Sequence, residues 1–183
     1  TRGYKAGGLN SGTTTLVARV STEEEKINSY EVGLKKTLNG RLQVNASAFY
    51  YDYRDIQIPI TGLDPVTQLN VTAFFNMPKA RNLGIELETV WQPIDHLQIL
   101  ANYSYLNAEL RDACCFQDPD APRGLQPGAV LAGNTAAQLA GTGALNQDLK
   151  GNSLPSATPH RFTINANYTW ELEPGNVSAS LTY

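Results

Sequence analysis

Two glutamates have the type and spacing that could do chemistry. Glu86 and Glu88 lie two positions apart in a run with strand-like alternation. Side chains two positions apart on a strand point to the same face, so both carboxylates would face the same space. Because adjacent like charges repel unless they are countered, the pair predicts a cationic partner. The simpler alternative is that both carboxylates only solvate a polar surface.

The two cysteines are the next reactive groups. Cys114 and Cys115 are the only cysteines and are adjacent in sequence. An extracellular site would favour their oxidation. Either they pair with a cysteine elsewhere, or they form a vicinal disulfide, which closes a small ring. Neither His96 nor His160 is near them in sequence and no second cysteine pair completes four ligands, so a metal site is disfavoured.

The sequence contains no motif that indicates catalysis or a bound cofactor. The sequence contains neither a GxSxG elbow nor an HExxH helix motif. Asp95 and His96 are adjacent in a short turn, and such a pair is common by chance. Four aspartates could bind calcium through their carboxylates but lack the spacing of a calcium-binding loop: Asp112, Asp118, Asp120 and Asp148. We predict no catalytic residue, no metal ligand and no cofactor.

Composition limits the classes of partner. Charged residues make up 17% of the chain, against about 25% in typical domains. The net charge of -3 and the lack of a basic cluster argue against a nucleic-acid binder. No window approaches the roughly 18 consecutive apolar residues that a membrane helix needs.

A strict polar–apolar alternation positions these residues. It is clearest between Arg41 and Asp55. Leu42, Val44, Ala46, Ala48 and Tyr50 fall on one face, and Gln43, Asn45 and Ser47 fall on the other. The pattern recurs along the chain, with Leu100 as an exception. We predict an all-β chain of about seven antiparallel strands at 1–10, 27–38, 41–57, 69–92, 97–110, 159–172 and 177–183, the fourth bulged near Met77-Pro78.

The ends of the apolar faces carry aromatic side chains. They are Tyr30, Tyr50, Trp91, Tyr103, Tyr105, Phe162 and Trp170. Amphipathic rings at strand ends suit the interface between lipid and water, where they form the girdles of transmembrane β-barrels. This placement favours a membrane barrel over a soluble sandwich.

Short and long connections take turns along the chain. Asn39-Gly40 is a strong signal for a two-residue hairpin, and 93–96 and 173–176 are the other tight turns. The long connections run over about 11–26, 58–68 and 111–158. Outer-membrane barrels have short periplasmic turns and longer outer loops, so we expect 111–158 to lie outside the cell. This loop is either a mobile cover or a gate whose amides bind ligand.

The strand number predicts a fragment. Bacterial single-chain barrels close with an even number of strands, eight or more. Seven strands leave two edges, whose backbone groups would go unsatisfied in lipid. We therefore expect 1–183 to be part of a larger barrel.

Five sequence blocks resemble one known family. In order they are RGYKAGGLN, SYEVGLKKTLNGRLQVNASAFYYDYRDIQI, FFNMPKARNLGIELE, LQILANYSYLNAEL and GNSLPSATPHRFTINANYTW. Together they resemble the C-terminal half of the barrel of TonB-dependent outer-membrane receptors, across nearly the whole chain apart from the loop between Cys114 and Lys150. The resemblance implies a barrel of about 22 strands with an N-terminal plug and a TonB box, both outside these 183 residues.

That resemblance also implies a function. Such receptors lie in the outer membrane of Gram-negative bacteria, contact lipid and the TonB complex, and take up a small-molecule ligand. The ligand would be an iron chelate such as a siderophore, cobalamin, a nickel complex or an oligosaccharide. A passive porin-like channel and a soluble β-sandwich adhesin remain alternatives. An upstream plug would separate the receptor from the channel, and solubility without detergent would identify the adhesin.

Strand parity then predicts which side chains face the lumen. The candidates are Glu31, Lys35, Gln43, Asn45, Glu86, Glu88, Gln98, Asn102, Asn165 and Asn167. In the simpler interpretation, these side chains solvate the inner wall and form hydrogen bonds with the plug. In the alternative, Glu86 and Glu88 bind a cationic group of the ligand or hold arginines of the plug. Cys114 and Cys115 are a candidate disulfide of the outer loop.

Overall fold

The structure, a computed structural model, describes residues 1–9, 21–63, 70–117 and 146–183. In these ranges the regular secondary structure consists of β-strands. They are β1 Arg2–Lys5, β2 Gly8–Leu9, β3 Ser21–Thr22, β4 Glu25–Leu38, β5 Leu42–Leu63, β6 Asn70–Ile94, β7 Leu97–Asp112, β8 Cys114–Gln117, β9 Asn146–Asp148, β10 His160–Leu172 and β11 Gly175–Thr182. No helix in the described ranges has the length and hydropathy needed to cross a bilayer.

Seven of these strands form one sheet in the order β1-β4-β5-β6-β7-β10-β11. Two small sheets, β2-β3 and β8-β9, accompany it. The pairs β1–β4, β7–β10 and β10–β11 are antiparallel. The predicted all-β fold class and an antiparallel sheet of seven strands are therefore confirmed, and the sheet is not closed into a barrel within the described residues.

The first strand differs from the prediction of a single strand over 1–10. Residues 2–5 pair with β4, whereas residues 8–9 leave the sheet and pair with β3. A Cβ on Gly7 would lie 2.3 Å from the carbonyl oxygen of Thr22, so only glycine fits this approach. Residues 6–8, Ala-Gly-Gly, thus let the chain turn away.

The long connections are shorter than predicted. Strand β5 continues to Leu63, past the expected end at residue 57, and β4 begins at Glu25. The prediction of one loop over 111–158 is wrong, because β8 and β9 pair inside it. At the base of this loop, backbone groups of β8 and β9 bond to each other. The two strands were missed because they are too short for polar–apolar alternation to indicate them. The described register does not cover Met77-Pro78, so the bulge there stays a prediction.

The tight turns are placed as expected. Asn39 and Gly40 have φ of 50° and 67°, the left-handed values that a type I′ turn requires. The Arg41 amide closes this turn by donating to the Leu38 carbonyl at 3.1 Å. Asp95 and His96 join β6 to β7, and residues 173–174 join β10 to β11.

The register of β7, β10 and β11 separates two faces. Directly opposed residues of antiparallel strands share a face. Phe162 is opposite Tyr103, and Ala166 is opposite Ile99, whereas Asn167 is opposite Gln98. On the other side of β10, Asn167 is opposite Ser180. The alternation read from the single sequence is therefore continuous across three strands.

The chain divides into two compact units. The first comprises Thr1–Ser29, Tyr51–Arg81 and Glu109–Leu154. It contains a small apolar core of Ile58, Met77, Ala80, Leu110, Ala113 and Leu149.

The second unit comprises Tyr30–Tyr50, Asn82–Ala108 and Pro155–Tyr183. Its strands expose large apolar side chains, among them Tyr30, Val32, Leu34, Ile85, Trp91, Phe162, Trp170 and Leu181. Large apolar side chains exposed in this number on one sheet favour a cover, and lipid supplies one for a membrane sheet.

Candidate functional site

A charged depression of about 420 Å³ lies on β4, β5 and β6 in the second unit. We call its polar lining the polar wall, which consists of Glu31, Lys35, Asn45, Ser47, Glu86 and Glu88. Each strand contributes residues two or four positions apart, as alternation requires for a shared face. Five of the ten lumen candidates are thus brought together.

The polar wall carries three carboxylates and one ammonium group, a formal charge of -2. The Asn45 amide donates to Glu88 Oε2 at 3.4 Å and accepts from Gln43 Nε2 at 3.4 Å. In the part of the chain that the structure describes, no salt bridge pairs Glu31 or Glu86. The arrangement can therefore accept a cationic group.

Of the remaining five lumen candidates, Gln43 lies on β5 and the other four lie on β7 and β10. Gln98 is opposite Asn167, and Asn102 is opposite Thr163. Asn165 donates to Ser180 Oγ at 2.9 Å and to Thr182 Oγ1 at 2.7 Å. Gln98 and Asn167 thus share a polar face of the sheet, Asn165 is held by hydrogen bonds to β11, and the orientation of these residues toward a lumen stays a prediction.

Sequence reasoning missed the contact between Phe49 and Gly84. A Cβ on Gly84 would lie 2.6 Å from Phe49 Cζ and 2.3 Å from the Tyr105 carbonyl oxygen. The Phe49 ring thus covers a glycine on the neighbouring strand, a device that repairs the weak packing of strand glycines. Phe49 continues the parity of Asn45 and Ser47, so an aromatic residue among polar positions was the available signal.

Two side-chain amides hold the backbone just before β4 in the first unit. Asn76 Nδ2 donates to the carbonyls of Glu23 at 3.0 Å and Asp55 at 2.8 Å, and Asn76 Oδ1 accepts from the Glu23 amide at 2.9 Å. Gln57 Nε2 donates to the carbonyls of Ala6 and Glu23, both at 3.0 Å. We call Gln57 and Asn76 the amide clamp. No sequence motif indicated it.

Two arginines share one carboxylate near the end of β7. Arg81 donates to Glu109 Oε1 at 2.7 Å, and Arg111 donates to the same oxygen. The hydrogen bond from Arg111 is the main cause of a lowered Glu109 pKa; partial burial opposes it and the Arg81 charge adds to it. A strand needs roughly 9–11 residues to cross a bilayer, so Glu109, in the last four of the 16 residues of β7, lies beyond the span.

Cys114 and Cys115 form a disulfide with each other. Of the two alternatives open from the sequence, the structure has the vicinal form. Cys114 is opposite Asp148 in the β8–β9 hairpin, and the register shifts between Cys114 and Phe116. Cys115 therefore occupies a β-bulge, with a φ of 77°.

Aromatic residues meet across the strands of the second unit. The ring centroids of Tyr30 and Tyr50 are 6.3 Å apart. The Tyr103 hydroxyl is 3.0 Å from His160 Nδ1. Among the described residues, no group of three or more His, Cys, Asp and Glu is arranged to hold a metal ion.

Together, the two-faced antiparallel sheet, tight turns and paired aromatic residues are typical of the walls of outer-membrane β-barrels. The family described as "TonB dependent receptor-like, beta-barrel" matches residues 1–183. The chain belongs to this family of receptor barrels, as its sequence blocks indicated.

Among solved structures, the ferric yersiniabactin uptake receptor FyuA from Yersinia pestis is similar in fold. The TM-score is 0.63 at 18% identity, over 99% of this chain and 21% of that receptor. The chain thus spans about a fifth of the length of this neighbour. No curated protein matches the sequence.

Proposed function

We propose that this chain forms part of the barrel wall of a receptor in the outer membrane of a Gram-negative bacterium, which takes up its ligand with energy supplied through TonB. The match of the receptor-barrel family to all 183 residues carries this proposal. In it, residues 1–183 are a partial barrel domain, and the plug and TonB box belong to the rest of the receptor.

The ligand class we favour is an iron chelate. The supporting observation is that the structural neighbour is an uptake receptor for ferric yersiniabactin. Cobalamin and oligosaccharides are other ligands of the family, and uptake assays with each class of compound would decide between them.

The polar wall has a specific role in the proposal. Among the described residues, Glu31 and Glu86 have no salt-bridge partner, and the hydrogen bond of Glu88 is a long one, from Asn45. The wall carries more carboxylates than ammonium groups, and neighbouring like charges repel unless they are countered, so a further cation should lie beside them. We infer that this cation is an arginine of the plug, which these glutamates help to hold in the barrel.

The test uses the full-length receptor in cells that lack their own copy. Uptake of radiolabelled ferric chelate should require both the receptor and TonB. The Glu86→Gln and Glu88→Gln double variant should loosen the plug and raise the entry of a large antibiotic such as vancomycin. Glu173→Gln, an exposed glutamate in a short turn, is the matched control and should leave the barrier intact.

The outcomes separate the two claims. Ferric chelate uptake that persists without TonB would refute the energy-coupled receptor and favour a passive channel. TonB-dependent uptake with an unchanged antibiotic barrier in the double variant would refute only the role given to the polar wall.

A further inference from the structure

The vicinal disulfide lies at the β-bulge of β8, between a paired and an unpaired residue. Cys115 is exposed and occupies the bulge, whereas Cys114 is half-buried and paired with Asp148. A vicinal ring includes the peptide that joins its two cysteines, so it restricts the backbone at the bulge itself. Any change in the ring therefore acts on the backbone of β8.

The residues before the disulfide are fixed. Ala113 is fully buried, and its carbonyl accepts from the Leu149 amide at 3.1 Å. The Leu110 amide donates to the Asn152 carbonyl at 2.9 Å, and its carbonyl accepts from the Gly151 amide at 2.8 Å. With this side anchored in the apolar core, a backbone change at Cys115 is passed on to residues 116–117.

The backbone conformation of Cys115 is one that a covalent constraint can stabilise. A positive φ is unfavourable for a residue with a Cβ, because the Cβ approaches the following carbonyl oxygen. In β8 the ring supplies such a constraint. Once the ring opens, Cys115 is free to return to negative φ, which removes the bulge and shifts the pairing of β8 with β9.

We propose that Cys114 and Cys115 form a thiol switch that sets the geometry of the β8–β9 loop base. An external dithiol is the partner. Its thiolate attacks the exposed Cys115 sulfur and displaces Cys114, which takes up a proton. The second thiol of the reductant then attacks the mixed disulfide, leaves as part of a cyclic disulfide and releases Cys115 as a thiol. The receptor gains two electrons and two protons, and the dithiol loses them.

Hydrogen–deuterium exchange of the full-length receptor in detergent tests this switch. Dithiothreitol should speed amide exchange in 113–117 and 146–149 roughly tenfold, the factor for release of one left-handed residue. The Cys114→Ser and Cys115→Ser double variant should exchange at the faster rate without reductant and should not respond to it. Residues 162–172 are the internal control and should not change.

A second variant distinguishes loss of the bulge conformation from a general loosening of the loop. Cys114→Ser combined with Cys115→Gly removes the ring but tolerates positive φ. It should retain the slow exchange of the oxidised protein. Equal rates in the glycine and serine variants would overturn the role of the bulge.

Mass spectrometry checks the bond itself. In the untreated receptor, the peptide with both cysteines should be two hydrogens lighter than its reduced form. Free thiols, or a link from either cysteine to another peptide, would overturn the proposal, as would exchange that reduction does not alter.

Discussion

Replacing Gly84 with alanine should destabilise the receptor, while the same change at Gly33 should not. Both glycines lie inside strands. The Gly84 Cβ would meet the Tyr105 carbonyl oxygen at 2.3 Å and the Phe49 ring at 2.6 Å. The Gly33 Cβ would meet the Ala46 carbonyl oxygen at 3.5 Å, an ordinary contact. The two variants thus make the same chemical change and differ in the room available for the added methyl group.

The expected magnitudes follow from two opposing effects. Alanine in place of a strand glycine gains about 0.5–1 kcal/mol from lower conformational entropy in the unfolded chain. Overpacking costs about 1–3 kcal/mol, and a backbone carbonyl at Gly84 cannot swing aside as a flexible side chain would. The two variants should therefore differ in free energy of unfolding by about 2 kcal/mol, roughly thirtyfold in the folding equilibrium.

The assay is reversible urea unfolding of the full-length receptor in detergent, followed by tryptophan fluorescence. The midpoint should fall for Gly84→Ala and stay or rise for Gly33→Ala, with the same slope. In a Phe49→Ala background, Gly84→Ala should cost less than in the native receptor, by the part of the loss that the ring contact causes. If the two variants had the same free energy of unfolding, the close approach of Gly84 to Phe49 and Tyr105 would be refuted.

Two further predictions concern the first unit. Asn76→Ala removes three hydrogen bonds of the amide clamp and should weaken the local stability of residues 21–25 by about 1–3 kcal/mol, seen as faster amide exchange there. Gln43→Ala, which loses one long bond, should change little, and equal effects would contradict the clamp. Because the Glu109 pKa is lowered in the folded state, its contribution to stability is present above the usual value of 4.5 and is lost as pH falls below it. The thermal midpoint of the native receptor should therefore fall more steeply below that pH than that of Glu109→Gln, and parallel profiles would contradict the shared carboxylate.

Much of the sheet could be predicted because its signals are local. Alternation is a consequence of strand geometry, so the two faces of β5 and β10 could be assigned without knowing their neighbours. The turn at Asn39-Gly40 follows from the positive φ that both residues tolerate. The resemblance of the sequence blocks to one family likewise needed no tertiary contact.

Other features depended on which distant segments meet. Residues 2–5 and 8–9 read as one strand, and only the close approach of Gly7 to Thr22 shows why they separate. Phe49 lies over Gly84 because β5 and β6 pair in one register, and a shift by one residue would exchange the faces. The choice between a vicinal disulfide and a distant partner was open for the same reason.

The sequence by itself therefore determined the β class, the strand number, the tight turns and the family, because each is encoded over a few neighbouring residues or in their order. Tertiary structure decided that Glu31, Glu86 and Glu88 line one depression, that Asn76 holds Glu23, and that 111–158 contains a hairpin. These depend on register and chain reversal, and they join residues far apart in the chain whose pairing no local pattern specifies.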